Sequence, residues 1–286
     1  MPLKLKEVSL VCFETRNVEA ALISMSYSLS QIKFSQSILF TTSLICSSHF
    51  VKKANHLGIK IELIPEIRSI SEYSYFILTE LEKYIHTQFC LVTQWDGWVI
   101  NYNAWDSEFL KYDYIGAIWP EYSENQIGNG GFSLRSKKLL KSTKELLILK
   151  PNFLTPLIED DFICRNQRGF LEENYKIKFP SIEIANKFSF EGNRKKINTF
   201  GFHGMSNFNY VIRKDFDLKN LISILSDDYF TNRESYNLVK FLISDNRISV
   251  AKLVIKRRLK ANHYSKKHFK LICLLLIRNF LNIFKP

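Results

Sequence analysis

Short apolar runs alternate with segments of helical periodicity in the first third of this chain, and this alternation strongly constrains its fold. Four runs have the length and composition of buried strands: residues 7–13, 34–42, 59–64 and 89–93. Between them, residues 18–29 and 71–85 carry apolar side chains at helical spacing, and Asn17 is placed to cap the first helix. The order predicts an α/β fold with a mixed, mostly parallel sheet flanked by helices. Ligands of such sheets bind at the carboxyl ends of the strands.

The rest of the chain is less regular. We predict a strand over Tyr112–Trp119 and helices over Lys137–Leu149 and Asp160–Leu171. Beyond Phe216 the chain contains no glycine and becomes helical and basic. We therefore expect a first domain over residues 1–216 and a helical C-terminal extension over residues 217–286.

The net charge of +12 is concentrated at the C-terminus. From Asp245 onward there are eleven Lys or Arg residues and one acid, so the first domain is nearly neutral. Between Arg247 and Lys270 only two aromatic residues, Tyr264 and Phe269, lie among the basic residues, and no nucleic-acid-binding motif is present. The pattern argues against nucleic acid as a partner.

Cysteine usage and the N-terminus indicate the compartment. The five cysteines are widely spaced, without a CxxC pair, which favours a reducing environment over disulfides or zinc. The first residues hold two lysines but no apolar run of signal-peptide length. We expect the protein on the cytoplasmic side of the membrane.

A polar cluster, Gln94-Trp95-Asp96-Gly97-Trp98, directly follows the buried strand at residues 89–93. A carboxylate at such a strand end can hold Mg²⁺ or Mn²⁺ beside a diphosphate, so Asp96 is a candidate metal ligand. Gln94 could assist through its amide oxygen. The alternative is a solvent-exposed turn with Asp-Gly at its centre.

A glycine-rich stretch, Gly128-Asn129-Gly130-Gly131-Phe132-Ser133-Leu134-Arg135, forms a second candidate element. Adjacent glycines such as Gly130 and Gly131 allow the backbone to approach a sugar or phosphate closely. The stretch lacks the spacing of a Rossmann fingerprint or P-loop. A plain tight turn is the alternative.

Three consecutive acids, Glu159, Asp160 and Asp161, open the helix predicted from Asp160 onward. They could simply stabilise the helix N-terminus. An acceptor hydroxyl that attacks an anomeric carbon, however, needs a carboxylate base within hydrogen-bond reach, and three acids exceed what a cap requires.

His203 lies between glycines and aromatics in Phe200-Gly201-Phe202-His203-Gly204. A histidine in such surroundings is usually structural. A neutral imidazole could also complete a coordination sphere begun by Asp96.

In this order, QWDGW, GNGGFSLR, EDDFIC and FGFHG resemble a bacterial family of uncharacterised domains that is grouped with glycosyltransferases of the GT-A fold. The resemblance covers about residues 7–205. A more distant likeness is to the β-1,4-galactosyltransferases, which share the order of strand-end pocket, metal aspartate, Gly-Gly-x-Ser loop, Glu-Asp-Asp and later histidine.

The resemblance implies a GT-A-like, Rossmann-like fold and assigns roles to residues. It implies a nucleotide-sugar donor, with a UDP-sugar favoured, bound by Phe13, Thr15, Arg16, Trp95, Asp96, Gly130 and Gly131. A divalent cation, Mn²⁺ or Mg²⁺, would be held by Asp96 and His203 with Gln94. Glu159 would bind the acceptor and Asp160 would be the inverting base, with Asp161 as its rival. Gln94 stands where the usual motif has an aspartate, so this site has one carboxylate fewer.

The basic tail suggests where the acceptor is found. Residues 250–259 predict a basic amphipathic helix, and residues 271–284 are strongly apolar but too few to span a bilayer. We predict that residues 217–286 rest on the anionic inner face of the cell membrane; the alternative is a core helix with a solvated basic face.

Two functions follow as hypotheses. The leading one is a glycosyltransferase that transfers a sugar to a lipid-linked glycan or another surface-polysaccharide precursor, such as that of a capsule or lipopolysaccharide. The other is a catalytically silent sugar- or nucleotide-binding module of a polysaccharide assembly complex, motivated by Gln94 in the metal motif.

Overall fold

The structure is a computed structural model that describes residues 2–149, 156–192, 198–261 and 266–283. Its strands, in chain order, are β1 Leu3–Phe13, β2 Ile32–Thr41, β3 Lys60–Leu63, β4 Phe89–Thr93, β5 Gly97–Val99, β6 Tyr114–Ile115, β7 Phe132–Ser136, β8 Ser189–Phe190 and β9 Gly201–His203. Its helices are α1 Val18–Gln31, α2 Ser48–His56, α3 Ile70–Thr79, α4 Lys137–Leu149, α5 Glu159–Asp161, α6 Arg168–Tyr175, α7 Ile182–Phe188, α8 Phe208–Val211, α9 Asp215–Ile224, α10 Arg233–Ser244, α11 Ile248–Lys260 and α12 Lys266–Ile283.

The chain forms two compact units, residues 1–191 with 198–203, and residues 192–197 with 204–286. The second unit begins earlier than the division that the sequence predicts at residue 216. The assignment of a separate function to residues 217–286 stays a prediction.

The first unit is built on a six-stranded sheet in the order β3-β2-β1-β4-β7-β6. The strands β1 to β4 are mutually parallel, and β7 and β6 add an antiparallel edge. This mixed, mostly parallel sheet flanked by helices confirms the predicted fold class. A smaller sheet, β5-β9-β8, continues from the end of β4.

Side chains on both faces of the large sheet are buried, as the alternating residues of β1 show. Leu10 and Cys12 face a cluster that includes α1, whereas Val11 and Phe13 face the cluster that includes Ile77 of α3. Successive strand residues point to opposite faces, so an uninterrupted apolar run is what a sheet covered on both sides requires.

Several predicted elements match the structure closely. The strand at residues 89–93 and the helix Lys137–Leu149 have the predicted bounds. Asn17 caps α1, since its side chain accepts a hydrogen bond from the backbone N–H of Ala20 at 3.0 Å.

The helix predicted over residues 160–171 is interrupted. The turn Phe162–Asn166 is π-helical, closed by the N–H of Gln167 donating to the carbonyl of Phe162 at 2.9 Å, before α6 begins. The strand predicted over residues 112–119 is also shorter, because only Tyr114–Ile115 pairs with β7. π-helical turns are frequent at functional sites, and this one directly follows the three acids.

The second unit is helical, and part of the basic C-terminal segment is buried in its core. Val250, Ala251 and Val254 of α11 are buried, as are Leu271 and Leu275 of α12. The α11 helix confirms the amphipathic helix predicted over residues 250–259.

Three of the C-terminal arginines are held within this unit. Arg258 is 1% exposed and donates from Nη1 to the carbonyls of Phe230 and Asn232. Arg257 lies 3.0 Å from Asp227, and Arg247 lies 2.7 Å from Asp215. These cations are therefore not part of a solvated basic face, whereas Lys252, Lys256 and Lys260 of α11 are exposed.

Within the described residues, no helix combines the length and the apolar character needed to cross a membrane. Of the C-terminal residues considered above, Tyr264, Phe284 and Lys285 lie outside the described residues, and so do the side chains of Lys266, Lys267 and Phe269.

Candidate functional site

A cavity of about 490 Å³ lies at the carboxyl end of β1. Four of the residues predicted to bind a nucleotide sugar line it: Phe13, Thr15, Arg16 and Trp95. Gln94 also lines it, together with Glu14, Ile67, Arg68, Ser69, Ile70 and Tyr73. The cavity is thus bordered by the ends of β1 and β4 and by the beginning of α3, which is where an α/β sheet is expected to bind a ligand.

The segment that follows β4 is a tight turn held from behind by α1. The N–H of Gly97 donates to the carbonyl of Gln94 at 3.2 Å. The buried hydroxyl of Ser24 lies 2.8 Å from the carbonyl of Gln94 and 2.9 Å from that of Gly97. This turn fixes Gln94 and Asp96, and the carbonyl contacts of Ser24 could not be anticipated from local sequence.

Strand pairing brings His203 beside Asp96, although 107 positions separate them in the chain. Gly97 of β5 pairs with His203 of β9 in antiparallel register. The Nε2 atom of His203 lies 3.4 Å from Oδ1 of Asp96 and 3.2 Å from Oε1 of Gln94. The structure therefore brings together the three residues that the sequence suggested as metal ligands.

Gln94 has a defined orientation within this group. Its Nε2 donates to the hydroxyl of Tyr73 at 3.2 Å, which leaves the amide oxygen facing His203. A neutral amide oxygen is thereby presented where an acidic side chain would otherwise supply a ligand.

The donor atoms fit a divalent cation. Asp96 is 8% exposed, and apart from the 3.4 Å contact with Nε2 of His203 its buried Oδ1 has no hydrogen-bond partner among the described residues. The carboxylate and amide oxygens suit Mn²⁺ or Mg²⁺, and the imidazole nitrogen favours a transition-metal ion, so of the two cations Mn²⁺ fits better. The described part of the chain contains no cluster of three or more His, Cys, Asp or Glu side chains arranged to hold a metal, so the set consists of two such residues and one amide.

A second carboxylate, Glu191, contacts the other side of the His203 ring. Its Oε1 lies 3.1 Å from Nδ1 of His203. Burial alone would lower the pKa of His203, but the carboxylates of Asp96 and Glu191 raise it well above its ordinary value. Glu191 was not among the predicted site residues, although it follows a short apolar strand just as Gln94 follows β4.

The glycine-rich loop packs tightly against this group. A Cβ at position 131 would lie 2.1 Å from Nε2 of His203, and one at position 130 would lie 2.1 Å from Oε1 of Glu159. Only glycine allows such approaches. The N–H of Gly130 donates to Oδ2 of Asp160 at 2.8 Å, which joins the loop to the three acids.

The three acids have different surroundings. Glu159 is 3% exposed and is paired with the buried Arg135, with 2.9 Å between Oε1 and Nη2. Asp161 lies 3.1 Å from Nε of Arg165 and is partly exposed. Asp160 accepts the backbone N–H of Gly130, so it is hydrogen-bonded to the main chain of the glycine-rich loop.

Burial raises the pKa of Asp160 to about 7, and the neighbouring Glu159 carboxylate contributes to the rise. The backbone N–H groups of Gly130 and Asp161 and the charge of Arg135 act in the opposite direction. A carboxyl group with this pKa can accept a proton near neutral pH and then release it.

The chain belongs to the protein family of unknown function DUF5672, whose profile matches residues 58–203. This agrees with the family of uncharacterised domains expected from the four motifs. No curated protein is significantly similar to the chain.

Solved structures with similarity to the chain include glycosyltransferases. The apo form of the glycosyltransferase GlyE from Streptococcus pneumoniae TIGR4 is 16% identical, with a TM-score of 0.45 over 70% of this chain and 54% of that one. The mannosyltransferase PcManGT from Pyrobaculum calidifontis, in complex with GDP-Man and Mn²⁺, is 10% identical, with a TM-score of 0.37 over 98% and 81% of the two chains. The chain spans about half the length of GlyE.

Proposed function

We propose that the first unit is a glycosyltransferase that uses a nucleotide-sugar donor, with a UDP-sugar favoured. The observation that carries the proposal is the position of Gln94. This residue lines the 490 Å³ cavity and its amide oxygen also lies 3.2 Å from Nε2 of His203, so Gln94 connects the cavity to the Asp96–His203 pair. A nucleotide in the cavity would direct its diphosphate towards these residues.

The reaction proposed is a single displacement. The acceptor hydroxyl attacks the anomeric carbon of the donor, its proton passes to Asp160, and the nucleoside diphosphate leaves. Arg16 and Arg68 line the cavity and would offset the charge of the diphosphate. A divalent cation held by Gln94, Asp96 and His203 would stabilise the same leaving group.

The position of the glycine loop supports the assignment of Asp160 as the base. Gly130 contacts Asp160 and Gly131 contacts His203, so two adjacent residues connect the proposed base to the proposed leaving-group site. Asp161, the rival base, is instead paired with Arg165. The buried pair of Glu159 with Arg135 supports a positioning role, while binding of the acceptor by Glu159 stays a prediction.

The proposal is tested by thermal shift with a panel of nucleotide sugars, with and without Mn²⁺. A ligand that binds only the folded state at 100 times its Kd stabilises it by about 2.7 kcal/mol, so we expect one donor class to raise the melting temperature. Asp96→Ala should remove the Mn²⁺-dependent part of the shift. Glu124→Ala, which removes an exposed acid outside the cavity, should preserve it.

Two other results would count against the proposal. A panel in which no nucleotide sugar changes the melting temperature would contradict donor binding. Donor binding without transfer to any acceptor would instead favour the silent binding module.

We further propose that the second unit rests on an anionic membrane surface at the inner face of the cell membrane, where a lipid-linked acceptor would be found. Lys252, Lys256 and Lys260 are exposed four residues apart on α11, and Leu276 and Ile277 of α12 are 61% and 58% exposed. A row of cations together with exposed apolar side chains is typical of interfacial helices.

Reversal of charge at Lys252, Lys256 and Lys260 to Glu should weaken binding to anionic liposomes by at least about 100-fold, because each cation near such a surface contributes roughly 1 kcal/mol. Co-sedimentation with phosphatidylglycerol vesicles measures the change. These side chains are exposed, so the helical core is retained, whereas truncation at residue 246 would remove the buried part of α11.

The matched control reverses Lys4, Lys6 and Lys33, which are exposed in the first unit and give the same change in net charge. Equal sedimentation of both triple variants and the unaltered protein would contradict the membrane assignment.

A further inference from the structure

Glu191 connects two parts of the candidate site, and nothing in the proposed reaction yet uses it. Its Oε1 lies 3.1 Å from Nδ1 of His203, and its Oε2 accepts a hydrogen bond from Nδ2 of Asn129. We propose that Glu191 is a positioning residue that holds the His203 ring with Nε2 available to a divalent cation. The inference rests on the proposed function.

The orientation of the imidazole carries the argument. A histidine that binds a metal through one ring nitrogen commonly donates its other N–H to a carboxylate, which fixes the tautomer and makes the ligating nitrogen more basic. Glu191 supplies that carboxylate at Nδ1, while Nε2 faces Asp96 and Gln94. Glu191 thus contacts one nitrogen of the ring, and Asp96 and Gln94 lie beside the other, which is the nitrogen proposed to bind the metal.

Charge provides a second reason. Gln94 is neutral, so Asp96 is the one carboxylate among the three proposed ligands. Glu191 adds a second negative charge across the imidazole ring, 27% exposed and close enough to act through His203. The charge of a cation at the site would therefore be offset by the carboxylate of Asp96, which would bind it, and by the carboxylate of Glu191, which contacts the far side of the imidazole ring.

Asn129 extends the effect to the glycine loop. Its backbone has a φ of 56°, and its side-chain oxygen accepts the N–H of Gly131 at 3.2 Å. The Glu191 carboxylate thus positions both the His203 ring and, through Asn129, the backbone of Gly131 that packs against the ring.

The variant Glu191→Gln separates this role from that of a simple structural contact. A glutamine has one acceptor and one donor group. If its oxygen keeps the bond to Asn129, its NH₂ faces Nδ1 of His203, and that nitrogen must then act as acceptor. The ring proton moves to Nε2, which blocks the nitrogen that would bind a metal.

We expect Glu191→Gln to weaken Mn²⁺ binding by about 10- to 100-fold, the range found when such supporting partners are lost. Isothermal titration of the full chain with Mn²⁺ gives the Kd. ¹⁵N NMR of the imidazole nitrogens, recorded at a pH above the raised pKa of His203 so that the ring is neutral, reports its tautomer, with His203→Gln used to assign its signal. Glu183→Gln, an exposed acid on α7, is the control for loss of one negative charge and should bind Mn²⁺ as the unaltered protein does.

The outcomes are distinguishable. A lower melting temperature with an unchanged Mn²⁺ Kd and an unchanged His203 tautomer would overturn the inference and leave Glu191 a purely structural residue. An unaltered protein that does not bind Mn²⁺ would overturn it as well. In either case the nucleotide-sugar thermal shift in the absence of metal decides separately whether the proposed function stands.

Discussion

Asp160→Asn should reduce glycosyl transfer by about 100- to 10,000-fold while donor binding is retained. The substitution removes the group that accepts the proton of the attacking hydroxyl, and general-base catalysis contributes about 100- to 10,000-fold. An asparagine oxygen can still accept the N–H of Gly130, so the loop should keep its position. Transfer is measured as release of nucleoside diphosphate, and donor binding by thermal shift.

Asp161→Asn is the matched control, because it makes the same chemical change at the next residue. Asp161 is bound to Arg165, and we expect its variant to retain most of the activity. An equal loss of transfer activity in the two variants would contradict the assignment of Asp160, rather than Asp161, as the base. Full activity of Asp160→Asn would remove the proposed base.

The pKa of Asp160 gives this prediction a pH dependence. Only the ionised carboxylate can accept a proton, so kcat/KM should rise as the pH increases through about 7 and then level off. The free energy of unfolding depends on pH in the opposite direction to kcat/KM. Because folding raises the pKa of Asp160 to about 7, stability falls as the pH rises from about 4, where the carboxyl group of the unfolded chain ionises, to about 7, and the loss is constant above that.

Asp160→Asn should therefore unfold at a higher temperature than the unaltered protein at pH 8, by an amount equivalent to about 1 kcal/mol or more. At pH 4 or below the difference should be small, because the carboxyl group is then protonated in the folded state. Calorimetric melts at both values check this. A variant less stable than the unaltered protein at pH 8 would contradict the burial of an ionisable group at this position.

Arg135→Met should lower the free energy of unfolding by about 3–5 kcal/mol. It leaves the Glu159 carboxylate without the cation that compensates it in the interior, and breaking a buried ion pair from one side has this cost. The side chains of Arg135 and Glu159 are 0% and 4% exposed and lie 2.9 Å apart. Chemical denaturation in the absence of ligand provides the measurement.

Arg135→Met/Glu159→Gln should recover part of that loss, because the uncompensated charge is removed with its partner. Arg68→Met is the control: its pair with Glu66 is equally short at 2.8 Å, but the side chains are 75% and 48% exposed. An exposed pair contributes at most about 1 kcal/mol. Similar losses for Arg135→Met and Arg68→Met would contradict the dependence on burial.

Much of the fold could be predicted because its signals are local. The apolar run of β4, the cap at Asn17 and the helical period of α4 each depend on residues within one or two turns of one another. The polar residues of the candidate site were likewise found because they follow strands, accompany glycines or open a predicted helix. Their roles in catalysis and binding remain predictions.

Two departures from those expectations have different causes, one local and one non-local. The π-helical turn at Phe162–Asn166 interrupts a segment of helical periodicity. It was not predicted because the spacing of apolar residues does not reveal a change from an i+4 to an i+5 hydrogen bond. Arg258 had the sequence appearance of a membrane-facing cation, yet it is buried against the carbonyls of Phe230 and Asn232. Its environment is set by residues more than twenty positions away.

The sequence by itself determined the alternation of strands and helices, the charge of the C-terminal region and the residue types available for a site. Only the tertiary structure decided that Gln94, Asp96 and His203 meet, that Ser24 holds their turn and that Glu191 contacts His203. The reason is physical. Periodicity and capping reflect the energetics of neighbouring residues, whereas the contacts of a buried side chain depend on which distant strands pair, and β5 meets β9 across more than a hundred residues.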